Sequence, residues 1–283
     1  MVDHKPLTIG IMQGRLTRPR GRCIQFFPFG EWQNEFQIAA ELGLNDIEFI
    51  FNLDQYEENP LWTDSGLSEI RGLIDRFGVA VDHICADFFM RRPLFGDNKD
   101  MIGESIQILK KLITRAAAIG ARSIEIPLLD HSSLGENSED KLFCDSIQKC
   151  LPLALESGVI ISLETDLPPD RLRKLLEKFN GYPVGAVYDS GNSSSLGYDP
   201  YQEITVLKEL ITNVHVKDRV LRGGSVPLGT GSADFAQLFA GLRKINYQKS
   251  FTLQAARGEE GNEIQTIREQ IFFLKKWPDV LWD

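Results

Sequence analysis

The chain has 283 residues, long for one ordinary domain and short for two, which fits an α/β barrel of about 250 residues plus loops. It carries 31 Lys+Arg against 40 Asp+Glu, a formal net charge of −9, and an acidic chain is repelled by phosphate backbones, which argues against a generic nucleic-acid binder. With 42% hydrophobic and 25% charged residues it is not a disordered chain, and without an apolar run near the roughly 18 residues of a membrane span it is not expected to cross a bilayer.

The first apolar stretch, Leu7–Met12, is too short for a secretory signal core and lacks a small-residue cleavage site. The four cysteines, Cys23, Cys85, Cys144 and Cys150, include no C-x-x-C pair. They are read as reduced thiols of a cytoplasmic protein.

Eight strands are predicted in chain order: Leu7–Met12, Asp46–Phe51, Ala80–Cys85, Ser123–Leu128, Val159–Leu163, Val184–Tyr188, Asn213–Val216 and Ser250–Leu253. Continuous apolar runs such as Val159-Ile160-Ile161-Ser162-Leu163 suit parallel strands buried on both faces. Helical patterns lie between them, and several end on glycine: Phe36–Leu42 on Gly43, Leu67–Phe77 on Gly78, Ile106–Ala117 on Gly120. Phe143, Ile147, Leu151 and Leu155 read as one further helix running to Gly158. Strand starts advance by roughly 25 to 43 residues, the size of a βαβ unit. Eight such units predict a single (β/α)8 TIM barrel over residues 1–283. A doubly wound open sheet fits less well, because no G-x-G-x-x-G follows the first strand.

Chemistry in such a barrel collects at the C-terminal strand ends. The polar residues there are Gln13 and Arg15, Glu48, Asp82, His83 and Asp87, Glu125, Glu164, Asp189 and Asn192, His215, Lys217, Asp218 and Arg219, and Gln254. Glu164, Asp189, His215 and Gln254 end four successive strands. Neighbouring strands lie about 4.8 Å apart, so inward side chains from these four can meet at one point. Two carboxylates, an imidazole and an amide oxygen suit one Mn²⁺, Mg²⁺ or Zn²⁺ ion.

Three motifs carry a resemblance: Tyr188-Asp189-Ser190-Gly191-Asn192, Asn213-Val214-His215-Val216-Lys217-Asp218, and Pro227-Leu228-Gly229-Thr230-Gly231 followed by Ser232-Ala233-Asp234-Phe235. With them the chain resembles the xylose isomerase-like barrels, most of all the sugar-phosphate isomerases and epimerases, including pentulose-5-phosphate 3-epimerases. The resemblance implies one divalent metal held by glutamate, aspartate, histidine and glutamate from strands five to eight. Glu164, Asp189 and His215 match; the fourth position is Gln254, so ligand charge falls to −2 and weaker metal binding is expected. It also implies that Glu164 is both ligand and base, removing a proton next to a carbonyl to form an enediolate. In the epimerases the strand-eight glutamate serves the opposite face, and glutamine cannot accept and return that proton. One-base isomerisation through Glu164 stays feasible; two-base epimerisation then needs another acid, such as Glu48 or Asp87. A dehydratase, or a sugar-binding protein with a weakened metal site, is the alternative.

Candidate substrate contacts are Asn192, His83, Lys217, Arg219, Gly229 and Gly231. Glycine amides and basic side chains are what a phosphate needs. Gly229–Gly231 reads equally as a plain turn, His83 equally as a core histidine, and Arg91-Arg92 more simply as a solvated pair. A DNA-repair endonuclease on the same barrel would need a histidine-rich zinc cluster, and this chain has only four histidines. The expected partner is a small sugar or sugar phosphate, with a homodimer as the default assembly.

Overall fold

The computed structural model describes residues 7–19, 21, 24–135 and 137–277; Cys23 and His4 lie outside them. Among the described residues the elements run β1 (Thr8–Met12), α1 (Trp32–Glu41), β2 (Asp46–Ile50), α2 (Asp64–Phe77), β3 (His83–Cys85), α3 (Phe88–Arg91), α4 (Lys99–Ile119) and β4 (Ser123–Leu128). There follow α5 (Asn137–Gln148), α6 (Leu151–Ser157), β5 (Ile160–Thr165), α7 (Pro169–Glu177), β6 (Val184–Asp189), α8 (Ser190–Leu196), α9 (Pro200–Leu207), β7 (Ile211–Val216), α10 (Phe235–Lys244), β8 (Ser250–Leu253) and α11 (Glu263–Leu274). The strands close a barrel in the order β1 to β8, the expected α/β architecture.

Two compact units are distinguished along the chain, residues 1–47 with 186–283, and residues 48–185. In the first, β6, β7, β8 and β1 pair in parallel, with Asp189 opposite His215, His215 opposite Thr252, and Ile11 opposite Leu253. Phe239 packs on Phe251 and stacks on Trp277, ring centroids 4.9 Å apart, behind these strands. In the second, β2, β3, β4 and β5 pair in parallel, with Ile84 opposite Ile124 and Ile126 opposite Leu163. Phe51, Trp62 and Phe88 form an aromatic cluster there.

Every residue of β2, β3, β4, β6, β7 and β8 is buried, as strands without a polar face require. The glycine stops at Gly78, Gly120 and Gly158 are left-handed C-caps, positions that disfavour a Cβ.

The structure corrects three boundaries. The helix expected to reach Gly158 unbroken is two helices, α5 and α6. Pro152 stands at the start of α6, and a proline there has no N–H for the carbonyl one turn back, so the helix restarts. Strand β3 begins at His83 rather than Ala80. Strand β5 runs on to Thr165 because β4 pairs with it that far, Pro127 opposite Glu164 and Leu128 opposite Thr165. Glu164 therefore sits in the ladder, on a rigid element. Cys85, Cys144 and Cys150 are free thiols in the interior.

Candidate active site

In the first unit the C-terminal ends of β6, β7 and β8 hold their polar groups by fixed contacts. Asp189 Oδ1 accepts from the amides of Gly191 and Asn192, both at 2.8 Å, capping α8 as a carboxylate at a helix start should. Its other oxygen is left facing Lys217 Nζ at 3.3 Å, and the Asp189 side chain is 1% exposed. Ser190 ties β6 to β7: its hydroxyl donates to the carbonyls of His215 and Lys217 and accepts from the Lys217 amide. His215 is fully buried. Gln254 follows β8 directly, and its Oε1 accepts from the same Lys217 ammonium at 3.3 Å. Its Nε2 donates to Gln25 Oε1 at 3.0 Å, which fixes the orientation of the amide.

Two oxygens from different strand ends, Asp189 Oδ2 and Gln254 Oε1, thus face one positive nitrogen. Oxygen donors arranged around a cationic centre, with an imidazole on the intervening strand, fit Mg²⁺, Mn²⁺ or Zn²⁺.

The loop after β1 is tied down beside these groups. Arg15 donates to the carbonyls of Ile24 and Gln254. Arg257 donates to the carbonyls of Gly14, Thr17 and Ile24 and lies over the Phe26 ring. Glu35 accepts from the amides of Gly14 and Leu16. Burial pushes its carboxyl up to about 8, against the lowering effect of those amides and of Arg257. Trp32 begins α1 and is buried with Phe27 and Phe36.

Beyond β7, Asp218 organises the next loop. Its Oδ2 accepts from the amides of Gly229 and Gly231, both at 2.9 Å, and its Oδ1 from Ala233 at 3.0 Å. A Cβ at Gly231 would lie 2.3 Å from Asp218 Oδ1, so this close approach needs glycine. The Gly229 and Gly231 amides are consequently engaged inside the protein by a carboxylate, the role of the turn rather than of an anion cradle. Arg219 donates to Asn192 Oδ1 at 2.9 Å and to the Gly223 carbonyl, bringing two expected substrate contacts together.

In the second unit β2, β4 and β5 each carry an acid. Glu48, Glu125 and Glu164 are all buried. Glu125 is hydrogen-bonded to both of the others; burial first, then the charges of Glu164 and Glu48, drive its carboxyl well above the usual range. Three carboxylates in so dry a place cannot all ionise, and Glu125 keeps its proton. The Cys85 thiol donates to Asp87 and Glu125, and burial with those acids raises it far above an ordinary thiol, so it is inert as a nucleophile. His83 shares a 2.8 Å hydrogen bond with Ser123 on β4, the behaviour of a satisfied core histidine. Arg91 and Arg92 form exposed ion pairs with Asp54 and Glu104.

Two features escape sequence reasoning. The Lys217 bridge depends on side-chain reach between two strand ends, which no spacing encodes. A buried trio behind β6, in which the Tyr188 hydroxyl and the Ser193 hydroxyl both contact Glu203, had one sequence signal, an acid between the apolar residues of α9. Burial pushes Glu203 up to about 7, against the two hydroxyls.

A parallel (β/α)8 barrel with acids and a histidine at the C-terminal strand ends defines the class. The chain belongs to the xylose isomerase-like TIM barrel family, whose profile matches residues 36–277. Among curated relatives, L-ribulose-5-phosphate 3-epimerase UlaE of Escherichia coli is 26% identical over 258 residues, covering 86% of this chain and 85% of the relative. Among solved structures, the D-allulose 3-epimerase from Methylomonas sp. superposes with a TM-score of 0.77 at 17% identity, over 98% of this chain and 99% of that one. The 3-keto-D-glucoside 4-epimerase YcjR from E. coli gives 0.72 at 18%, over 96% and 100%. At these identities the two structures establish the fold. Among the described residues no helix is long and apolar enough to cross a membrane.

Proposed function

We propose that the chain is a divalent-metal-dependent isomerase or epimerase of a small sugar or sugar phosphate, acting through an enediolate with Glu164 as base. The proposed ligands are Glu164, Asp189, His215 and Gln254, and the proposed ion is Mn²⁺, Mg²⁺ or Zn²⁺. One observation carries the reading: the Asp189 and Gln254 oxygens, from the ends of β6 and β8, face a common cation. His215 stands on the strand between them, in register with Asp189. Family membership and the name of the curated relative, a sugar-phosphate epimerase, support the reaction class.

A bound ion would polarise the sugar carbonyl and stabilise negative charge on its oxygen. Glu164, held in the β5 ladder, takes the proton from the adjacent carbon, a role worth roughly 10²- to 10⁴-fold in rate. Glu125 retains a proton beside it, which leaves Glu164 free to be the ionised member of the pair. Asn192, Lys217 and Arg219 are the proposed substrate contacts, with Gly229 and Gly231 acting through Asp218, while His83, the first residue of β3 and bonded to Ser123, keeps a core role. Returning the proton on the same face needs Glu164 alone. Epimerisation needs an acid for the other face, which Gln254 cannot supply; Glu48, hydrogen-bonded to Glu125 as Glu164 is, is the proposed alternative.

Gln254 favours a second reading, a sugar-binding protein or a dehydratase with a weakened metal site. Incubation with a panel of ketoses and ketose phosphates in D₂O with Mn²⁺ separates the two. The proposed function predicts chelator-sensitive deuterium uptake next to the carbonyl, at C3 for a 3-epimerase and at C1 for an aldose–ketose isomerase. Binding of a sugar without exchange would identify a binding protein, and loss of water a dehydratase.

A further inference from the structure

The Lys217 ammonium is more than a surface ion pair. Its nitrogen sits between Asp189 Oδ2 and Gln254 Oε1, 3.3 Å from each, and its side chain is only 15% exposed. Both acceptors are held in place from behind: Asp189 by the two amides of α8, Gln254 by Gln25. The lysine stem is cradled as well. A Cβ at Gly191 would lie 2.6 Å from Lys217 Cγ and 2.9 Å from its Cβ, so the stem lies where only glycine leaves room. The backbone of Lys217 is locked to Ser190 from both its amide and its carbonyl.

We propose that Lys217 is a tethered cation that holds the Asp189–Gln254 oxygen pair until a divalent ion displaces it, so that Lys217 and Gln254 together set this chain's metal affinity. The inference rests on the metal site proposed above. Its logic is charge and space. One carboxylate and a neutral amide are balanced by a single ammonium, so the metal-free site is already neutral on this side. A divalent ion on the same two oxygens would bring like charges within a few ångströms in a nearly dry setting, where such repulsion is strong. The ammonium must therefore swing out before the ion enters. A glutamate at position 254 would add a negative charge that one ammonium cannot balance, which would tip the exchange toward the divalent ion. Glutamine tips it toward the lysine.

The test is Mn²⁺ affinity by calorimetry on the purified full chain, a readout independent of turnover. Lys217→Met keeps the stem and removes the charge; Gln254→Glu adds the carboxylate; Gly191→Ala pushes the stem from its cradle with both charges kept. The proposal predicts that Lys217→Met binds Mn²⁺ about tenfold more tightly than the native chain, a change of about 1.4 kcal/mol. Gln254→Glu shifts affinity in the same direction, and the double variant gains less than the sum because both act on one exchange. If Lys217→Met does not fold, Gly191→Ala decides, with a smaller tightening expected. Measurable Mn²⁺ binding that is equal or weaker in the deciding variant overturns the proposal and leaves the metal site standing. Absence of Mn²⁺ binding in every variant, Gln254→Glu included, overturns the metal site and this inference with it.

Discussion

The strand ends of β6–β8 and the strands β2, β4 and β5 handle buried negative charge in different ways. In the first, Asp189 is balanced by the Lys217 ammonium and by helix amides, and Asp218 by three backbone N–H groups. In the second, Glu48, Glu125 and Glu164 are crowded, and burial with the neighbouring acids favours the protonated form of Glu125. The contrast matters for chemistry. A region that neutralises acid with fixed donors can position a cation or a substrate. A region that neutralises acid with a proton can move one, the property the proposed base Glu164 needs.

The comparison can be broken where it predicts large effects. Asp218→Ala removes the acceptor of three amides, and an unsatisfied buried donor costs about 1–3 kcal/mol. A loss of about 3 kcal/mol by urea denaturation is expected, with new proteolytic cuts between residues 219 and 232; a native urea midpoint would show that the fixed donors do not depend on Asp218.

Glu35 tests a case inside the first unit that follows the proton rule instead. Its folded carboxyl is raised to about 8, above its unfolded value. Its contribution to stability is thus full below about pH 4.5 and is lost as pH rises toward 8, with a slope of at most about 1.4 kcal/mol per pH unit. Glu35→Gln, which can still accept from Gly14 and Leu16, should flatten the stability profile across that window. An unchanged slope would mean that Arg257 already holds Glu35 ionised.

The smallest effect is expected at Glu125. A neutral acid replaced by a neutral amide keeps a donor for Glu48 and Glu164, so Glu125→Gln should change stability by less than about 1 kcal/mol at pH 7. Because the raised carboxyl loses its contribution as pH rises above its ordinary value of 4.5, the variant should gain on the native chain with rising pH, read from urea midpoints. A large loss at pH 7 would show that Glu125 is ionised there, and the contrast between the two regions would fall.

The barrel was readable because parallel strands buried on both faces leave unbroken apolar runs, such as that preceding Glu164, and because glycine caps such as Gly78 and Gly120 punctuate the helices. The break at Pro152 was visible as a residue and overruled by the apolar spacing across it, although the missing N–H decides the matter locally. Asp189 and His215 were readable as strand-end residues for the same reason as the strands. The tie between Lys217, Asp189 and Gln254 was not, since it depends on which rotamer a long side chain takes in a cradle that Gly191 leaves open. Nor was the use of the Gly229 and Gly231 amides: a glycine-rich turn looks the same in sequence whether its N–H groups face an anion or an internal carboxylate.

The central claim is that Glu164 moves the proton next to the sugar carbonyl. The direct measurement is deuterium uptake by a ketose phosphate in D₂O with Mn²⁺, native chain against Glu164→Gln, followed by proton NMR. The account predicts exchange with the native chain and at least a roughly 10²-fold loss with the variant. Equal exchange by both proteins would contradict it.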